Sequence, residues 1–278
     1  MSDDREIKDI LTLEEASQLF QVSTKTFLKL LREEDIPARK VGREWRFSRT
    51  ALLNWIAAGS SRAYATAEEE NKTYFASVAP VYDELRKGCY GEALRELLMS
   101  RFTPKPGDQV ADIGAGTGYL AKGLAKYAAK VYAIDSSPAM LEVAGKDLAK
   151  AGLSNVVLME GDAHDLPLAD SSQEMIFANL LLHHIIEPPL AIKEMFRALK
   201  PGGTVVITDV DQHPYPWVKQ EKSDLWQGFD RVEIKEWFQT AGFINIQVSD
   251  LGCKCRTSSQ SGATIEIPMF LATGTKPV

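Results

Sequence analysis

The glycine-rich stretch at residues 110–120 constrains the fold of this chain more than any other part of the sequence. A short apolar run ends at Asp112, and three glycines then alternate with small residues before a helical pattern begins. A side chain at Gly114 or Gly116 would occupy the space of a bound ligand, whereas glycine lets the backbone approach it closely. We therefore expect a strand, a tight ligand-binding turn and a helix.

Asp112 distinguishes between two classes of nucleotide ligand. The dinucleotide fingerprint G-x-G-x-x-G places a pyrophosphate on a helix N-terminus, where a carboxylate ahead of the first glycine serves no purpose. Here the pattern is D-x-G-x-G-x-G, so the third glycine comes one residue earlier. A ligand with a positively charged amino acid end fits Asp112, which favours S-adenosylmethionine over NAD as the cofactor. A glycine-rich turn without a ligand is the alternative, because a lone glycine motif is a weak signal.

The chain downstream of this turn alternates short apolar runs with helical patterns. The run at 131–134 ends at Asp135, 21 residues past Gly114, in line with an acid that accepts both ribose hydroxyls. Further apolar runs of strand length follow at residues 156–159, 175–178 and 204–208. This alternation predicts an α/β fold with a doubly wound, Rossmann-like parallel sheet, whose ligands gather at the carboxyl ends of the strands.

Residues 73–275 resemble the class I S-adenosylmethionine-dependent methyltransferases, and within them the group of ubiquinone/menaquinone C-methyltransferases and arsenite methyltransferases. The motifs that carry the resemblance are D-x-G-x-G-x-G, Asp135, Gly161-Asp162-Ala163, His183-His184-Ile185 and the LKPGG segment at 199–203. The resemblance implies a closing hairpin with strands at 244–248 and 265–273. It also implies that Asp112, Gly114 and Gly116 hold the methionine end and Asp135 the ribose. The other implied cofactor contacts are the lid residue Tyr82, the adenine-reading Asp162 and Ala163, and the backbone of Asn179 and Leu180.

Residues 10–57 carry the pattern of a separate small domain. Thr12 and Glu15 form a capping box before its first helix. The predicted elements are helices at 13–20 and 24–34, a hairpin at 38–47 and a last helix at 50–57. We expect the last helix to bury Leu53 and Ile56 together with its other apolar residues. This order of helix, turn, helix and wing is typical of DNA-binding domains.

This stretch resembles the excisionase-type, MerR-like winged helix-turn-helix domains. The matching motifs are T-x-E-E-A at 12–16, V-S-x-x-T at 22–26, I-P-A at 36–38, V-G-R at 41–43 and Trp55. The resemblance implies DNA contacts from the recognition helix and phosphate contacts from the wing. The recognition-helix residues are Ser23, Thr24, Lys25 and Lys29, and the wing residues are Arg39, Lys40, Arg43, Arg46 and Arg49.

Charge leaves more than one role open for this domain. Residues 21–56 hold eight Lys/Arg against four Asp/Glu, whereas the first fifteen residues are acidic. Small winged domains also serve as protein-contact or dimerisation modules. DNA, another protein and a second copy of the chain therefore all remain candidate partners.

Length and charge limit the number of domains and the partners that the chain can have. Its 278 residues suit a winged domain at 1–57, a linker at 58–72 and a methyltransferase domain at 73–278. The net charge of −6 argues against wholesale binding to nucleic acid or membranes. The acidic start is not a signal peptide, and no apolar run approaches the ~20 residues of a membrane span. We expect a cytoplasmic protein.

Four histidines follow predicted strand ends, at the edge where ligands gather. They are His164, His183, His184 and His213. His183 or His184 could accept a proton from an acidic acceptor, since histidine titrates near neutral pH. The alternative is that one of these imidazoles only packs at the strand–helix junction. The ligand spacing matches no zinc pattern, so no metal is expected.

The three cysteines suggest reduced thiols, because their number is odd and too small for a disulfide scaffold. Cys253 and Cys255 would face the same side of a strand, and Cys89 lies in the helical region ahead of the first strand. A trivalent metalloid binds two or three thiolates, so metalloid methylation with these cysteines is a minority hypothesis.

The leading functional hypothesis is an enzyme that methylates a small-molecule acceptor. The rival is a transcription regulator whose methyltransferase fold only senses S-adenosylmethionine or another ligand. DNA methylation is disfavoured, because Asn179-Leu180-Leu181 lacks the Asn/Asp-Pro-Pro-aromatic pattern of amino-methylating DNA enzymes. The sequence does not identify the acceptor.

Overall fold

A computed structural model describes residues 8–33, 36–58, 61–89 and 91–278. The chain forms two compact units, Met1–Ala65 and Thr66–Val278. The predicted end of the second helix at residue 34 lies outside the described residues. Most of the segment predicted as a linker is helical, and the domain limits given above stay a prediction. No described helix is both long and apolar enough to cross a bilayer.

In the first unit, helices and a small antiparallel sheet enclose an aromatic core. Its elements are β1 (Ile10–Leu11), α1 (Leu13–Leu19), α2 (Thr24–Glu33), β2 (Arg39–Val41), β3 (Glu44–Ser48) and α3 (Arg49–Ala58). The predicted capping box is present: Glu15 N–H donates to Thr12 Oγ1 at 3.3 Å, and Thr12 N–H to Glu15 Oε2 at 2.9 Å. The rings of Phe27 and Phe47 lie 5.3 Å apart between centroids. The predicted helix, turn, helix and wing are confirmed.

The last helix of this unit buries less than predicted. Leu52 is fully buried, but Leu53 and Ile56 are 44% and 53% exposed. A helix on a small core buries only one narrow stripe, and here Leu52 and Trp55 occupy it.

The second part of the chain is a doubly wound α/β structure. Its elements before the third sheet strand are α4 (Ser61–Val78), α5 (Tyr82–Leu85), α6 (Glu92–Arg101), β4 (Gln109–Ile113), α7 (Ala121–Leu124), β5 (Lys130–Asp135) and α8 (Pro138–Lys150). Those that follow are β6 (Val156–Glu160), β7 (Gln173–Asn179), α9 (Pro188–Ala198), β8 (Leu199–Val210), α10 (Pro216–Lys222), α11 (Arg231–Ala241), β9 (Ile244–Ser258) and β10 (Thr264–Thr275). Within the described residues the sheet order is β6-β5-β4-β7-β8-β10-β9. The first five strands are parallel and β10 is antiparallel to both neighbours, which confirms the predicted fold class.

Local signals explain the helices beside the site. Ser137 caps α8 by accepting the N–H of Met140 at 3.4 Å, and Pro138 occupies the first turn. The helix predicted after the glycine turn is short, since α7 covers only Ala121–Leu124. Beyond it the N–H of Tyr127 donates to the carbonyl of Leu124, three residues back, so the segment continues as tight turns.

The closing hairpin extends further than predicted, and one of its residues, Cys255, forms a disulfide with Cys89, which lies ahead of the sheet. β9 continues to Ser258, and the N–H of Arg256 donates to the carbonyl of Gly88 at 2.8 Å. Cys89 and Cys255, which are 166 residues apart, form a disulfide, so the prediction of reduced thiols is wrong for this pair. Cys253 has a free thiol. The pairing depends on the length of β9, which residue counts alone do not reveal.

Candidate functional site

A pocket opens at the carboxyl ends of the parallel strands. β4 pairs with β5 on one side and with β7 on the other, so the turn after β4 lies where the strand order reverses. All the predicted cofactor residues line this pocket: Tyr82, Asp112, Gly114, Gly116, Asp135, Asp162, Ala163, Asn179 and Leu180. His184 lines it as well, whereas His183 does not.

The glycines of the turn after β4 are required for two different reasons. Gly114 has φ +67° and Gly116 has φ +52°, a region that favours glycine. A Cβ at Gly114 would lie 2.4 Å from Leu181 Cδ1, so a protein side chain, rather than a ligand as we predicted, excludes other residues there. A Cβ at Gly116 would meet nothing nearer than Tyr82 Cε1 at 3.9 Å. Gly116 therefore keeps the pocket open.

Asp112 presents a buried carboxylate to this pocket. Its Oδ2 accepts the N–H of Ala121 at 2.9 Å. Burial raises the pKa of Asp112 to about 7, and the nearby charge of Asp135 adds to the shift. A cationic ligand group would favour the ionised form of this carboxylate.

Asp135 ends β5 and joins two backbone segments of the site. Its Oδ2 accepts the N–H of Gly116 at 2.8 Å, and its Oδ1 accepts the N–H of Ser137 at 2.9 Å. Burial raises its pKa, and these two hydrogen bonds oppose the rise. The carboxylate therefore fixes the glycine turn and lines the pocket beside it.

Asp162, which the sequence predicts to contact the adenine, lines the pocket. Its Oδ1 accepts the backbone N–H of His164 at 2.8 Å and lies 2.8 Å from His164 Nδ1. The hydrogen bond from the His164 ring lowers the pKa of Asp162 to about 2, so this carboxylate is ionised at neutral pH. His164 therefore orients Asp162 and lines the same pocket.

Asn179 and Leu180 lie at the end of β7. Leu180 has φ +52°, a strained value for a non-glycine residue and one that is common at functional sites. Its N–H donates to the carbonyl of Thr208 at 2.8 Å, and the Thr208 hydroxyl donates to Asn179 Oδ1 at 2.7 Å. The Leu180 amide is therefore directed at β8 and not into the pocket.

Residues ahead of the sheet cover the pocket as a lid. Asn71, Lys72 and Phe75 of α4 and Tyr82 of α5 contribute to its wall. The rings of Phe75 and Tyr82 lie 5.9 Å apart between centroids. This placement brings Tyr82 next to the glycine turn, in the lid position that the sequence predicted.

The two adjacent histidines occupy different environments. His184 packs edge-on against Phe75, with 4.8 Å between ring centroids. His183 is only 2% exposed, and its Nδ1 lies 2.6 Å from Asp209 Oδ1. Of the two catalytic candidates, His184 is therefore the one that an acceptor in the pocket could contact.

Asp224 and Arg86 complete a buried polar cluster that the sequence did not reveal. Asp224 Oδ1 lies 3.6 Å from His184 Nδ1, 3.8 Å from His183 Nε2 and 3.8 Å from Arg86 Nη2. Arg86 Nη2 also lies 3.3 Å from His184 Nε2. Arg86 follows α5 and Asp224 follows α10, so no local sequence pattern connects them.

The cluster does not suit a metal ion. His183, His184 and Asp224 can each place one ligand atom within 4.8 Å of the others. The Arg86 guanidinium beside His184 would repel a cation at that position.

Burial and neighbouring charges shift the pKa values of the cluster. Burial favours neutral His183, but the charges of Asp209 and Asp224 outweigh it, and the pKa of His183 is raised. Burial lowers the pKa of His184 well below its ordinary value, and the charges of His183 and Arg86 lower it further. His184 is therefore a neutral imidazole at physiological pH.

The cysteines do not assemble as a metalloid site. Cys89 and Cys255 are bonded to each other, and Cys253 Sγ lies 3.9 Å from Met269 Sδ. In the described part of the chain, no three cysteines form a common group of ligand atoms. This arrangement gives the metalloid hypothesis no support.

The predicted DNA contacts lie on α2 and on the wing. Ser23 caps α2, because its Oγ accepts the N–H of Thr26 at 3.0 Å. Arg46 is half-buried and pairs with Glu44, and Lys29 and Arg49 are also half-buried. The exposed members are Ser23, Thr24, Lys25, Arg39, Lys40 and Arg43. This geometry leaves an exposed basic wing and an exposed start of α2.

Two family models match the chain, one in each unit. Residues 111–207 match the model of a methyltransferase domain, and residues 10–60 match that of a helix-turn-helix domain. The demethylmenaquinone methyltransferase of Clavibacter sepedonicus is 38% identical over 176 residues, which cover 53% of this chain and 70% of the relative. A 2-methyl-6-phytyl-1,4-hydroquinone methyltransferase of Oryza sativa subsp. japonica is 33% identical over 151 residues, or 53% of this chain. The chain spans 44% of the length of that rice relative.

A solved structure shows the same fold. Haemonchus contortus phosphoethanolamine N-methyltransferase 2, in complex with S-adenosyl-L-methionine, superposes with a TM-score of 0.62 at 18% identity. The match covers 94% of this chain and 76% of that chain. Fold and pocket together define a class I methyltransferase domain. The chain belongs to the family of S-adenosylmethionine-dependent methyltransferases that includes the Clavibacter sepedonicus enzyme. The resemblance and the cofactor predicted from sequence are confirmed.

Proposed function

We propose that this chain methylates a small hydroxylated aromatic acceptor of the quinol type and that its N-terminal unit binds DNA. The observation that carries the first part is one pocket lined by all the predicted cofactor residues and by His184. The quinol class is supported by two relatives whose names specify demethylmenaquinone and a 1,4-hydroquinone.

One end of the pocket suits S-adenosylmethionine. Gly116 leaves space beside the turn, and the Asp112 carboxylate can bind a cationic amino acid end. Asp135 offers carboxylate oxygens to ribose hydroxyls, and Asp162 offers an ionised acceptor to the adenine amino group. When bound, S-adenosylmethionine supplies a methyl group on a cationic sulfur that needs no acid in order to leave.

The other end suits a flat ring with a polar substituent. The region around His184, which we call the acceptor end, is lined by Phe75, whose ring contacts His184, and by Ile185 and Ile186, which follow it in the chain. An aromatic acceptor can pack on Phe75 while its hydroxyl reaches His184, because the two rings are in contact. The protein then contributes mainly positioning and the exclusion of water.

Release of S-adenosylhomocysteine tests the enzymatic part. Purified protein is given S-adenosylmethionine and 1,4-dihydroxynaphthalene, with catechol and a primary amine as further acceptors. We expect release with the hydroxylated rings that exceeds the rate without acceptor, and none above that rate from Asp135→Ala. Equal rates with and without every hydroxylated ring would contradict the proposal.

The rival function is a regulator that senses S-adenosylmethionine. The helix-turn-helix unit favours it, because such a domain can act as the output of a sensor. A sensor would bind S-adenosylmethionine and change its DNA affinity without forming S-adenosylhomocysteine. Measuring DNA binding and turnover on the same preparation therefore separates the two functions.

DNA binding by the first unit is tested on its exposed wing. The double variant Arg39→Glu/Lys40→Glu reverses two exposed charges on β2. We expect at least a tenfold loss of affinity for a duplex of mixed sequence, and a smaller salt dependence, since phosphate contacts release counterions. The control Lys146→Glu/Lys150→Glu changes the same charge on α8 and should bind as wild type. Equal affinity of the wing variant and wild type would contradict this part.

A further inference from the structure

Asp224 lies at the centre of the buried polar cluster beside the acceptor end of the pocket. It is 5% exposed, and its Oδ1 has no hydrogen-bond partner among the described residues. A buried carboxylate oxygen without a partner is costly, so such an atom in a native protein needs an explanation, and a role in catalysis is one. Nitrogen atoms of Arg86, His183 and His184 surround it at 3.6–3.8 Å. A movement of about 1 Å would bring any of them within hydrogen-bond distance.

The protonation of His184 follows from its neighbours. Its Nδ1 lies 3.2 Å from the carbonyl of Ser223, which can only accept, so Nδ1 carries the proton. Its Nε2 then holds the lone pair, toward which Arg86 Nη2 donates at 3.3 Å. The donor nitrogen Nδ1 therefore points toward Ser223 and Asp224, and the acceptor nitrogen Nε2 points toward Arg86.

The segment that carries Asp224 is attached to both walls of the pocket. The carbonyl of Ser223 also accepts from Asn71 Nδ2 of α4 at 2.8 Å. The N–H groups of Leu225 and Trp226 donate to the carbonyl of His183 at 2.8 Å and 3.2 Å. The carboxylate is thus held in a fixed place relative to the histidine ring and the lid.

We propose that His184 is the base that takes the proton of the acceptor, and that Asp224 is the positioning residue that orients the ring and stabilises its protonated form. This inference rests on the proposed function and deepens it. It restricts the acceptors to compounds that become nucleophiles by losing an O–H or N–H proton before the methyl group is transferred. The Arg86 N–H that points at His184 Nε2 turns toward Asp224 Oδ1, 3.8 Å away, and frees the Nε2 lone pair. The acceptor's O–H bond breaks, the proton bonds to His184 Nε2, and the electron pair stays on the acceptor as the nucleophile.

Asp224 places a carboxylate oxygen 3.6 Å from His184 Nδ1, in a cluster where burial and the cations His183 and Arg86 lower the pKa of His184. Arg86, which follows α5, and His183, which lies in the segment after β7, carry positive charge near Asp224. Asp209 faces it from β8. Lys222 of its own segment and Tyr74 of α4 complete the titratable neighbours. Transfer of a proton from acceptor to His184 leaves the net charge of the site unchanged. The imidazolium then lies between two anions: the ionised acceptor beside Nε2 and the Asp224 carboxylate near Nδ1. Other base–carboxylate pairs have the same order of charges.

Turnover with 1,4-dihydroxynaphthalene tests the pair in the intact chain. Asp224→Asn should lower kcat about 100-fold, within the range found for general bases. Its KM for S-adenosylmethionine should stay within about twofold, and the acid limb of its kcat–pH profile should move. Asp224→Glu should restore at least a tenth of the wild-type kcat. The control Asp147→Asn, a half-buried carboxylate of α8 that pairs with Lys122 and does not line the pocket, should match wild type. A kcat of Asp224→Asn within threefold of wild type, in protein that still binds the cofactor, would overturn the assignment.

A second measurement needs no turnover, so it separates this inference from the proposed function. Nitrogen-15 spectra of the histidine rings, assigned with His184→Gln, report which nitrogen carries the proton when S-adenosylhomocysteine is bound. We expect a protonated Nδ1 in wild-type His184. Asp224→Asn should keep this tautomer, because the Ser223 carbonyl still accepts the Nδ1 proton, but its ring should have a lower pKa, because the carboxylate that stabilises the imidazolium is gone. A protonated Nε2 in the wild type would exclude His184 as the base. If the protein shows no turnover with 1,4-dihydroxynaphthalene but His184 carries its proton on Nδ1, the proposed acceptor is wrong and the pairing of His184 with Asp224 is supported.

Discussion

The Asp135 carboxylate accepts the backbone N–H of Gly116 at 2.8 Å, across two adjacent strands of the sheet. The same side chain holds the N–H of Ser137 at the start of α8. One carboxylate thus shapes the glycine turn and lines the pocket that this turn forms. Its removal should therefore affect cofactor binding in two ways.

Asp135→Ala should weaken S-adenosylmethionine binding by at least tenfold. The variant loses the hydrogen bond that holds Gly116 in place and the carboxylate that we propose binds the ribose hydroxyls. Isothermal titration measures the change, with the exposed Asp170→Ala as the control for loss of a carboxylate. Affinity within twofold of wild type would show that Asp135 does not contact the ligand.

Gly114→Ala should destabilise the protein more than Gly152→Ala. Both glycines have positive φ, +67° and +68°, so both variants incur a cost of about 1 kcal/mol or more for the backbone conformation. Only at Gly114 would the new Cβ meet a neighbour, Leu181 Cδ1 at 2.4 Å, whereas at Gly152 nothing lies within 4 Å. Urea unfolding of the two variants gives the difference. Equal destabilisation would mean that Leu181 moves aside at no cost.

The pKa of Asp112 predicts opposite effects of pH on stability and on binding. Burial raises this pKa to about 7, so the folded chain binds the proton more tightly than the unfolded chain does. The group therefore contributes stability at low pH that is lost as pH rises from about 4 to about 7. Asp112→Asn should reduce the fall in melting temperature of the cofactor-free protein across this range.

Binding of S-adenosylmethionine should show the reverse dependence. A cationic amino acid end favours ionised Asp112, so wild-type affinity should fall as pH decreases through about 7. The affinity of Asp112→Asn should be lower and nearly independent of pH. Parallel pH profiles of the variant and wild type would contradict a contact between this carboxylate and the ligand.

The disulfide between Cys89 and Cys255 predicts one reactive thiol per folded chain under non-reducing conditions. Cys89→Ser should lower the free energy of unfolding by about 2–4 kcal/mol, because the bond constrains the unfolded chain. Thiol titration and chemical unfolding measure the two effects, and Cys253→Ser, which leaves the bond intact, is the control. Three reactive thiols in the folded protein would show that the bond does not form.

The cofactor end of the site could be predicted from sequence because its signals are local. The glycine turn, Asp112 and Asp135 lie at the ends of strands that the apolar runs identify, and parallel pairing brings these ends together. The winged unit could be predicted equally well, since its caps, turns and hairpin depend on short-range sequence patterns. The exposure of Leu53 and Ile56 was not, because it depends on how much core a small unit offers one helix.

The acceptor end could not be predicted because its residues meet only through long-range packing. Arg86 and Asp224 are separated by 138 positions, and neither belongs to a motif. The Cys89–Cys255 bond likewise depends on how far β9 extends past the sheet. Adjacent histidines look equivalent in a sequence, whereas the fold buries His183 against Asp209 and turns His184 toward the pocket.

Transfer of a labelled methyl group tests the central claim most directly. Protein is incubated with S-adenosylmethionine that carries a trideuteromethyl group and with 1,4-dihydroxynaphthalene, and the products are analysed by mass spectrometry. We expect the label in a methylated naphthalene with wild-type protein, and none with Asp135→Ala. Unlabelled acceptor after long incubation, from protein that binds S-adenosylmethionine and changes its DNA affinity when it does, would contradict an enzyme and indicate a sensor.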